Sequence, residues 1–110
     1  MDTFITSPWT NGNQNHITGS GFGIRIPIEP YQKIFRRNWK HVVLIIDNNE
    51  VHVSITESFW RKCHEIRSKE IGLWLIKYSR NKWPEGLPPE ILVKYEGENR
   101  FTLNIQGLKT

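Results

Sequence analysis

The chain has 110 residues, a formal net charge of +4 at pH 7, and five tryptophans, five phenylalanines and three tyrosines. This length predicts one domain over residues 1–110 with a single modest core. One cysteine, Cys63, excludes an internal disulfide framework, and no apolar run approaches the ~20 residues of a membrane-spanning helix. Residues 1–4 lack the pattern of a secretion signal, so we expect a cytoplasmic protein with no membrane partner.

Short strands and one helix are predicted in the first part of the chain. The elements in order are a strand over 4–6, a polar glycine-containing loop over 11–21, a strand over 22–26 and a helix over 28–38. Pro27 is expected to end the second strand. Tyr31, Ile34 and Phe35 have the i, i+3, i+4 spacing of one helix face.

The rest of the chain predicts two β-hairpins. The segments in order are a hairpin of 42–46 and 51–55 around a turn at 47–50, an ambiguous segment over 57–67 that could be helical, an apolar run over 73–76, a turn-rich segment over 83–89, and a hairpin of 91–95 and 101–105. Several short strands with irregular turns are typical of a closed or nearly closed barrel. The fold class predicted is therefore mainly β, with one or two short helices.

Basic residues concentrate in the middle of the sequence. Residues 33–82 contain eleven Lys and Arg against five Asp and Glu. Such a distribution is expected of a protein that binds a polyanion, although a solvated basic surface would look the same.

Catalytic and metal sites are not indicated by the sequence. The histidines, at positions 16, 41, 52 and 64, are scattered, and Cys63 lacks a base held against it. The acid-x-Lys spacing of metal-dependent nucleases is absent; Glu65-Ile66-Arg67 and Glu98-Asn99-Arg100 come closest. The glycines at 19, 21 and 23 precede a strand, the wrong context for a phosphate-binding loop. We expect no enzyme activity, metal or cofactor for this chain.

Two segments carry side chains suited to reading base edges. The first is the loop over 11–21, where amides can pair with adenine and short polar groups can donate or accept; its candidates are Asn11, Asn13, Gln14, Asn15, His16, Thr18 and Ser20. The second is 58–69, where Arg can pair with guanine, Glu can accept from cytosine and Lys can neutralise phosphate. Phe59, Trp60 and Ile66 would anchor that segment to the core. A solvent loop and a helix with one basic face are the alternative interpretations.

The order of elements resembles a known family. Gly21-Phe22-Gly23-Ile24-Arg25-Ile26-Pro27, followed by a helix ending in Ile34-Phe35, is similar to the B-three DNA-binding domain of plant transcription factors. A comparable Gly-x-x-Ile-Pro pattern followed by Leu-Phe occurs in the effector or recognition domains of EcoRII-like bacterial restriction endonucleases. Residues 83–105 are similar to the closing region of the same family.

The resemblance implies a seven-stranded open pseudobarrel whose two arms, 11–21 and a segment within 58–69, enter the major groove. It also implies sequence-specific binding of double-stranded DNA by a recognition domain of a restriction endonuclease. We expect a monomer on DNA that takes no small-molecule substrate. The residues expected to contact DNA are Asn11, Asn13, Gln14, Asn15, His16, Thr18, Ser20, Arg25, Trp60, Arg61, Lys62, His64, Glu65, Arg67 and Lys69.

Two other functions are compatible with the same composition. A protein-interaction module, such as an antitoxin-like or phage-encoded inhibitor, would use exposed Trp60, Trp74 and Trp83 as binding hot spots. An RNA-binding protein would use the aromatic side chains as stacking platforms.

Overall fold

The secondary structure is dominated by strands. The computed structural model describes residues 2–107, in which seven strands and three short helices occur. In chain order these are β1 (Thr3–Thr10), β2 (Phe22–Arg25), α1 (Ile28–Ile34), β3 (His41–Ile46), β4 (Asn49–Ser54), α2 (Glu57–Arg61), β5 (Glu65–Arg67), α3 (Lys69–Lys77), β6 (Ile91–Tyr95) and β7 (Arg100–Ile105). The predicted mainly β fold is confirmed, with one helix more than the upper number expected. None of the described helices has the length and apolar character required to span a bilayer.

All seven strands join in one curved sheet, in the order β4-β3-β7-β6-β1-β2-β5. The two edge strands, β4 and β5, contact each other, so the sheet almost closes on itself. Neighbouring strands are antiparallel except β3 and β7, which pair in parallel. This arrangement confirms the predicted seven-stranded, open barrel-like fold.

Strand β1 is longer than predicted because it pairs with two different strands, one after the other. It pairs with β6 over Thr3–Thr6 and with β2 over Ser7–Thr10. Pro8, which lacks an N–H, follows the end of the β6 pairing, and so its missing donor leaves no ladder bond unmade on that side. The sequence pattern stopped at residue 6 because the proline interrupts it.

The ambiguous segment over 57–67 divides into helix α2 and strand β5. The apolar run over 73–76 lies inside α3, whose first turn is capped by Ser68: its side-chain oxygen accepts a hydrogen bond from the Glu70 N–H at 3.2 Å. Helix α1 ends at Ile34 rather than Asn38, because Phe35 adopts an extended conformation.

The core fills the inside of the barrel with side chains from both strands and helices. Phe22 and Phe101 come from strands, while Phe59 and Leu75 come from α2 and α3, and each is at most 1% exposed. Phe59 and Ile66 are buried and Trp60 packs against the core, which confirms the predicted anchoring of the 58–69 segment.

The loop between β1 and β2 packs directly on α3 through two glycines. A β-carbon added to Gly72 would lie only 2.2 Å from the Gly19 carbonyl oxygen, and one added to Gly19 would lie 2.3 Å from the Lys69 carbonyl oxygen. Gly19 also has φ of +80°, which favours glycine. The two backbones therefore touch where side chains would separate them.

Replacing Gly72 by Ala should destabilise the protein. In an ordinary helix interior Gly→Ala stabilises by about 1 kcal/mol, but here the methyl group would collide with backbone, and we expect a loss of about 1–3 kcal/mol. Urea denaturation measures the change. Leu73→Ala, at a neighbouring exposed position of α3, is the matched control and should have a smaller effect. A stabilised Gly72→Ala variant would contradict the contact.

The turn of the β3–β4 hairpin is tied to α3 by an acidic side chain. Asp47 and Asn48 have φ of 51° and 65°, the left-handed pair of a two-residue hairpin turn. The Asp47 carboxylate accepts a hydrogen bond from Lys77 Nζ at 2.8 Å and others from the Tyr78 hydroxyl at 3.0 and 3.1 Å. The Lys77 hydrogen bond is the main cause that holds the pKa of Asp47 below its ordinary value of 3.8.

This contact predicts a pH-dependent contribution to stability. Because the folded-state pKa of Asp47 is lowered, its contribution is present above pH 3.8 and is lost as the pH falls through the folded-state pKa. Asp47→Asn, which tolerates the left-handed turn, should be less stable than wild type at pH 7. The difference in denaturation midpoint should shrink below pH 4, and a pH-independent difference would contradict the assignment.

Candidate nucleic-acid interface

The outer face of β1, β2 and β5 presents two rows of side chains. Pro8, Ile24 and Ile66 are paired across the three strands and are buried, so the residues that alternate with them point outward. These outer-face residues are, row by row, Ser7, Arg25 and Glu65, then Trp9, Gly23 and Arg67. The sheet therefore displays two arginines and a tryptophan side by side.

Glu65 lies beneath both arginines. Its side chain is 3% exposed, and its carboxylate accepts hydrogen bonds from Arg25 Nη2 at 2.9 Å and from Arg67 Nη2 at 3.5 Å. The two arginine side chains remain 62% and 55% exposed. One buried negative charge thus orients two positive groups whose remaining N–H donors face solvent.

Arg67 is also held from its other side by an aromatic ring. Trp9 and Arg67 are both paired with Gly23, which has no side chain to separate them. The Arg67 guanidinium accordingly lies over the Trp9 ring, 4.6 Å from its centroid. Trp9 was missed by the sequence analysis, because Pro8 hides the outward alternation of Ser7 and Trp9 along β1.

The loop over 11–21 is tightly hydrogen-bonded, and some of its amide groups are occupied. The Asn15 side-chain oxygen accepts from the N–H groups of Ile17 and Thr18 at 2.8 and 2.9 Å, and that of Asn11 accepts from the Asn13 N–H at 2.8 Å. Bidentate pairing with adenine needs the amide oxygen as well as the NH₂ group. Asn13 is exposed, and its side chain makes no hydrogen bond among the described residues.

The other candidates in this loop differ in how far solvent reaches them. The Oε1 atom of Gln14 is buried and has no hydrogen-bond partner within residues 2–107. The His16 ring lies edge-on to Phe22, and its Nδ1 is 2.9 Å from the Asn81 side-chain nitrogen. Thr18 and Ser20 are exposed. The loop therefore presents Asn13, Thr18 and Ser20 most openly.

The basic residues of 58–69 lie at both ends of the β2–β5 pair. One end is marked by the hydrogen bond from the Ile26 N–H to the His64 carbonyl at 2.7 Å. Arg61 and Lys62 come just before this end in the sequence, and both are exposed. Lys69 follows the other end, where the Ser68 N–H donates to the Phe22 carbonyl and the 11–21 loop begins. These two hydrogen bonds are four residues apart along each strand, about 13 Å at the rise of a β-strand. The 11–21 loop and the Arg61–Lys62 pair thus lie at opposite ends of the outer face.

Two predicted contact residues at the Arg61 end are engaged within the fold. The His64 ring stacks on Tyr31 with centroids 3.7 Å apart, and its Nδ1 is 2.6 Å from the Phe59 carbonyl oxygen. Trp60 is half-buried, and its carbonyl accepts a hydrogen bond from the Tyr31 hydroxyl at 2.9 Å.

An open groove of about 830 Å³ adjoins the outer face. Its lining includes Arg25, Lys62 and Cys63 together with the segment 86–90. Cys63 is an exposed free thiol. Within residues 2–107 no cluster of three or more His, Cys, Asp or Glu side chains could hold a metal ion.

One of the three tryptophans expected to be exposed in a protein-interaction module is buried. Trp74 is only 5% exposed, and Trp60 and Trp83 pack against the core as partly buried side chains. The expectation of an exposed side chain was wrong for Trp74, which lies on the buried side of α3, whereas Trp60 and Trp83 remain partly exposed.

No family model, curated protein or solved structure matches this chain.

Replacing Glu65 by Gln tests the buried carboxylate. Gln carries no negative charge, and its NH₂ group replaces one of the two acceptor oxygens. We expect a loss of about 1–2 kcal/mol of stability, reduced because solvent reaches both arginines. Glu57→Gln is the control, since Glu57 pairs with Arg37 where both side chains are exposed; its loss should stay below about 0.5 kcal/mol. Equal losses by chemical denaturation would show that burial of Glu65 has no special effect.

Proposed function

We propose that this chain is a non-catalytic module that binds double-stranded DNA in the major groove through the outer face of β1, β2 and β5. The observation that carries the proposal is the pair of guanidinium groups on Arg25 and Arg67, fixed side by side over the buried Glu65 carboxylate. Arginine pairs bidentately with the O6 and N7 atoms of guanine, and this contact depends on a defined orientation of the guanidinium.

The dimensions of the face support this mode of binding. The major groove of B-DNA is about 12 Å wide and admits a β-ribbon as readily as a helix. The outer face is bounded at one end by the 11–21 loop and at the other by Arg61 and Lys62, and its two ends are about 13 Å apart by strand rise. Strands would thus meet base edges while the two flanking segments reach towards the groove walls.

Charge around the face supports binding to a polyanion. Arg61, Lys62 and Lys69 are exposed, and none of the three forms an ion pair within the described residues. On DNA such side chains neutralise phosphates and release counterions, which adds affinity without sequence preference. Arg25 and Arg67 would supply base selectivity in addition.

The structure changes the role that we assign to Glu65. A carboxylate that accepts from cytosine must be open to the groove, whereas the Glu65 side chain is 3% exposed and bonded to two arginines. We therefore propose that Glu65 positions Arg25 and Arg67 and does not itself contact a base.

The finer identity of the module is part of the same proposal. The B-three resemblance implies two arms, the 11–21 loop and a segment within 58–69. On the seven-stranded sheet the loop joins β1 to β2, and 58–69 contains β5 and most of α2. On the strength of that resemblance we propose a B-three-like recognition domain that is sequence-specific, binds DNA as a monomer and belongs to a restriction endonuclease.

Selection of bound duplexes from a random pool, followed by fluorescence anisotropy, tests the proposal. Arg25→Ala and Arg67→Ala should each weaken binding to the selected duplex by about 1–3 kcal/mol, the value of one bidentate base contact. Arg100→Ala is the matched control, because Arg100 lies on β7 and pairs with Glu50 on β4, away from the face. It should leave the affinity unchanged.

Salt and competitor titrations distinguish this function from the alternatives. The logarithm of the binding constant should fall linearly with the logarithm of salt concentration, and Lys62→Ala should reduce that slope by about one phosphate contact. Single-stranded RNA should compete poorly. Undetectable binding to duplex at low salt, or equal losses for Arg67→Ala and Arg100→Ala, would refute the proposal.

A further inference from the structure

Ile17 is held in solvent at the 11–21 loop. Its side chain is 84% exposed, more than any other large hydrophobic side chain within residues 2–107. Apart from glycine, every other residue of 11–21 is polar. A polar residue would occupy this position without exposing a branched aliphatic group.

The backbone beneath Ile17 is fixed on both sides. The N–H groups of Ile17 and Thr18 donate to the Asn15 side-chain oxygen, and the Gly19 N–H donates to the Asn15 carbonyl at 3.0 Å. The Asn15 N–H in turn donates to the Ser20 carbonyl at 2.8 Å. Gly19 rests on the backbone of α3. With a β-branched side chain on such a turn, little conformational freedom remains to be lost on contact.

The major groove contains one apolar group with which an aliphatic side chain can pack, the C5-methyl of thymine. Beside it the same A·T pair presents the N7 acceptor and N6 donor of adenine, which suit an open amide such as Asn13. We propose that Ile17 packs against a thymine C5-methyl and so selects sites that contain A·T pairs, an inference that rests on the DNA binding proposed above.

Replacing thymine by deoxyuridine in the selected duplex tests this contact, because it removes the methyl group and leaves base pairing intact. For the wild-type protein we expect about four-fold weaker binding for each methyl contacted, the transfer free energy of one such group. Ile17→Ala should bind the two duplexes equally, and Ile17→Val should retain most of the discrimination. Arg25→Ala should lose affinity for both duplexes and keep the wild-type ratio.

The failure of this inference differs from the failure of the proposed function. If the wild-type protein binds no duplex, DNA binding itself is refuted. If it binds but does not distinguish thymine from deoxyuridine, or if Ile17→Ala keeps the wild-type ratio, then Ile17 does not contact a thymine methyl and DNA binding stands.

Discussion

The buried Glu65 carboxylate is the constraint on which the outer face depends. Two guanidiniums near each other on a sheet would repel, and each would sample many rotamers. The carboxylate between Arg25 and Arg67 offsets that repulsion and fixes both orientations. Trp9 restricts Arg67 further by lying under its guanidinium. The one contact that the two arginines share is therefore with a carboxylate that is almost out of contact with solvent.

Most of the fold could be predicted from hydrophobic patterning, because two hairpins alternate regularly or carry β-branched runs. The β3–β4 hairpin was predicted with a turn over 47–50, and the structure narrows that turn to Asp47 and Asn48, residues that tolerate left-handed backbone. Patterning failed where a proline interrupts a strand, as at Pro8, and where a glycine weakens a helix, as at Gly72. At Pro8 the strand continues because it pairs with β2, and at Gly72 the helix packs against Gly19. Both contacts join parts of the chain that are distant in sequence, so a local pattern cannot reveal them.

The candidate site was predicted less completely than the fold. The basic segment and the polar loop were found by composition, and Arg25 came from the resemblance, since its strand belongs to the motif. Composition could not show that the Asn15 oxygen is used inside the loop or that Glu65 is buried. It also did not indicate Trp9. This residue reaches Arg67 only because both are paired with Gly23, which has no side chain between them. Cross-strand register is set by the whole sheet, which explains why single-sequence reasoning missed this contact.

The side chains proposed to contact DNA differ in whether other groups of the protein hold them in place. Arg25, Arg67 and Ile17 are each fixed by a partner or a turn, and these are the groups proposed to read bases. Arg61, Lys62 and Lys69 are exposed and form no ion pair within the described residues, and these are proposed to meet phosphates. Base readout needs defined geometry, whereas phosphate neutralisation tolerates a long flexible side chain. We therefore propose that firmly held side chains on strands and a braced turn supply selectivity, and that exposed side chains of the flanking segments supply affinity.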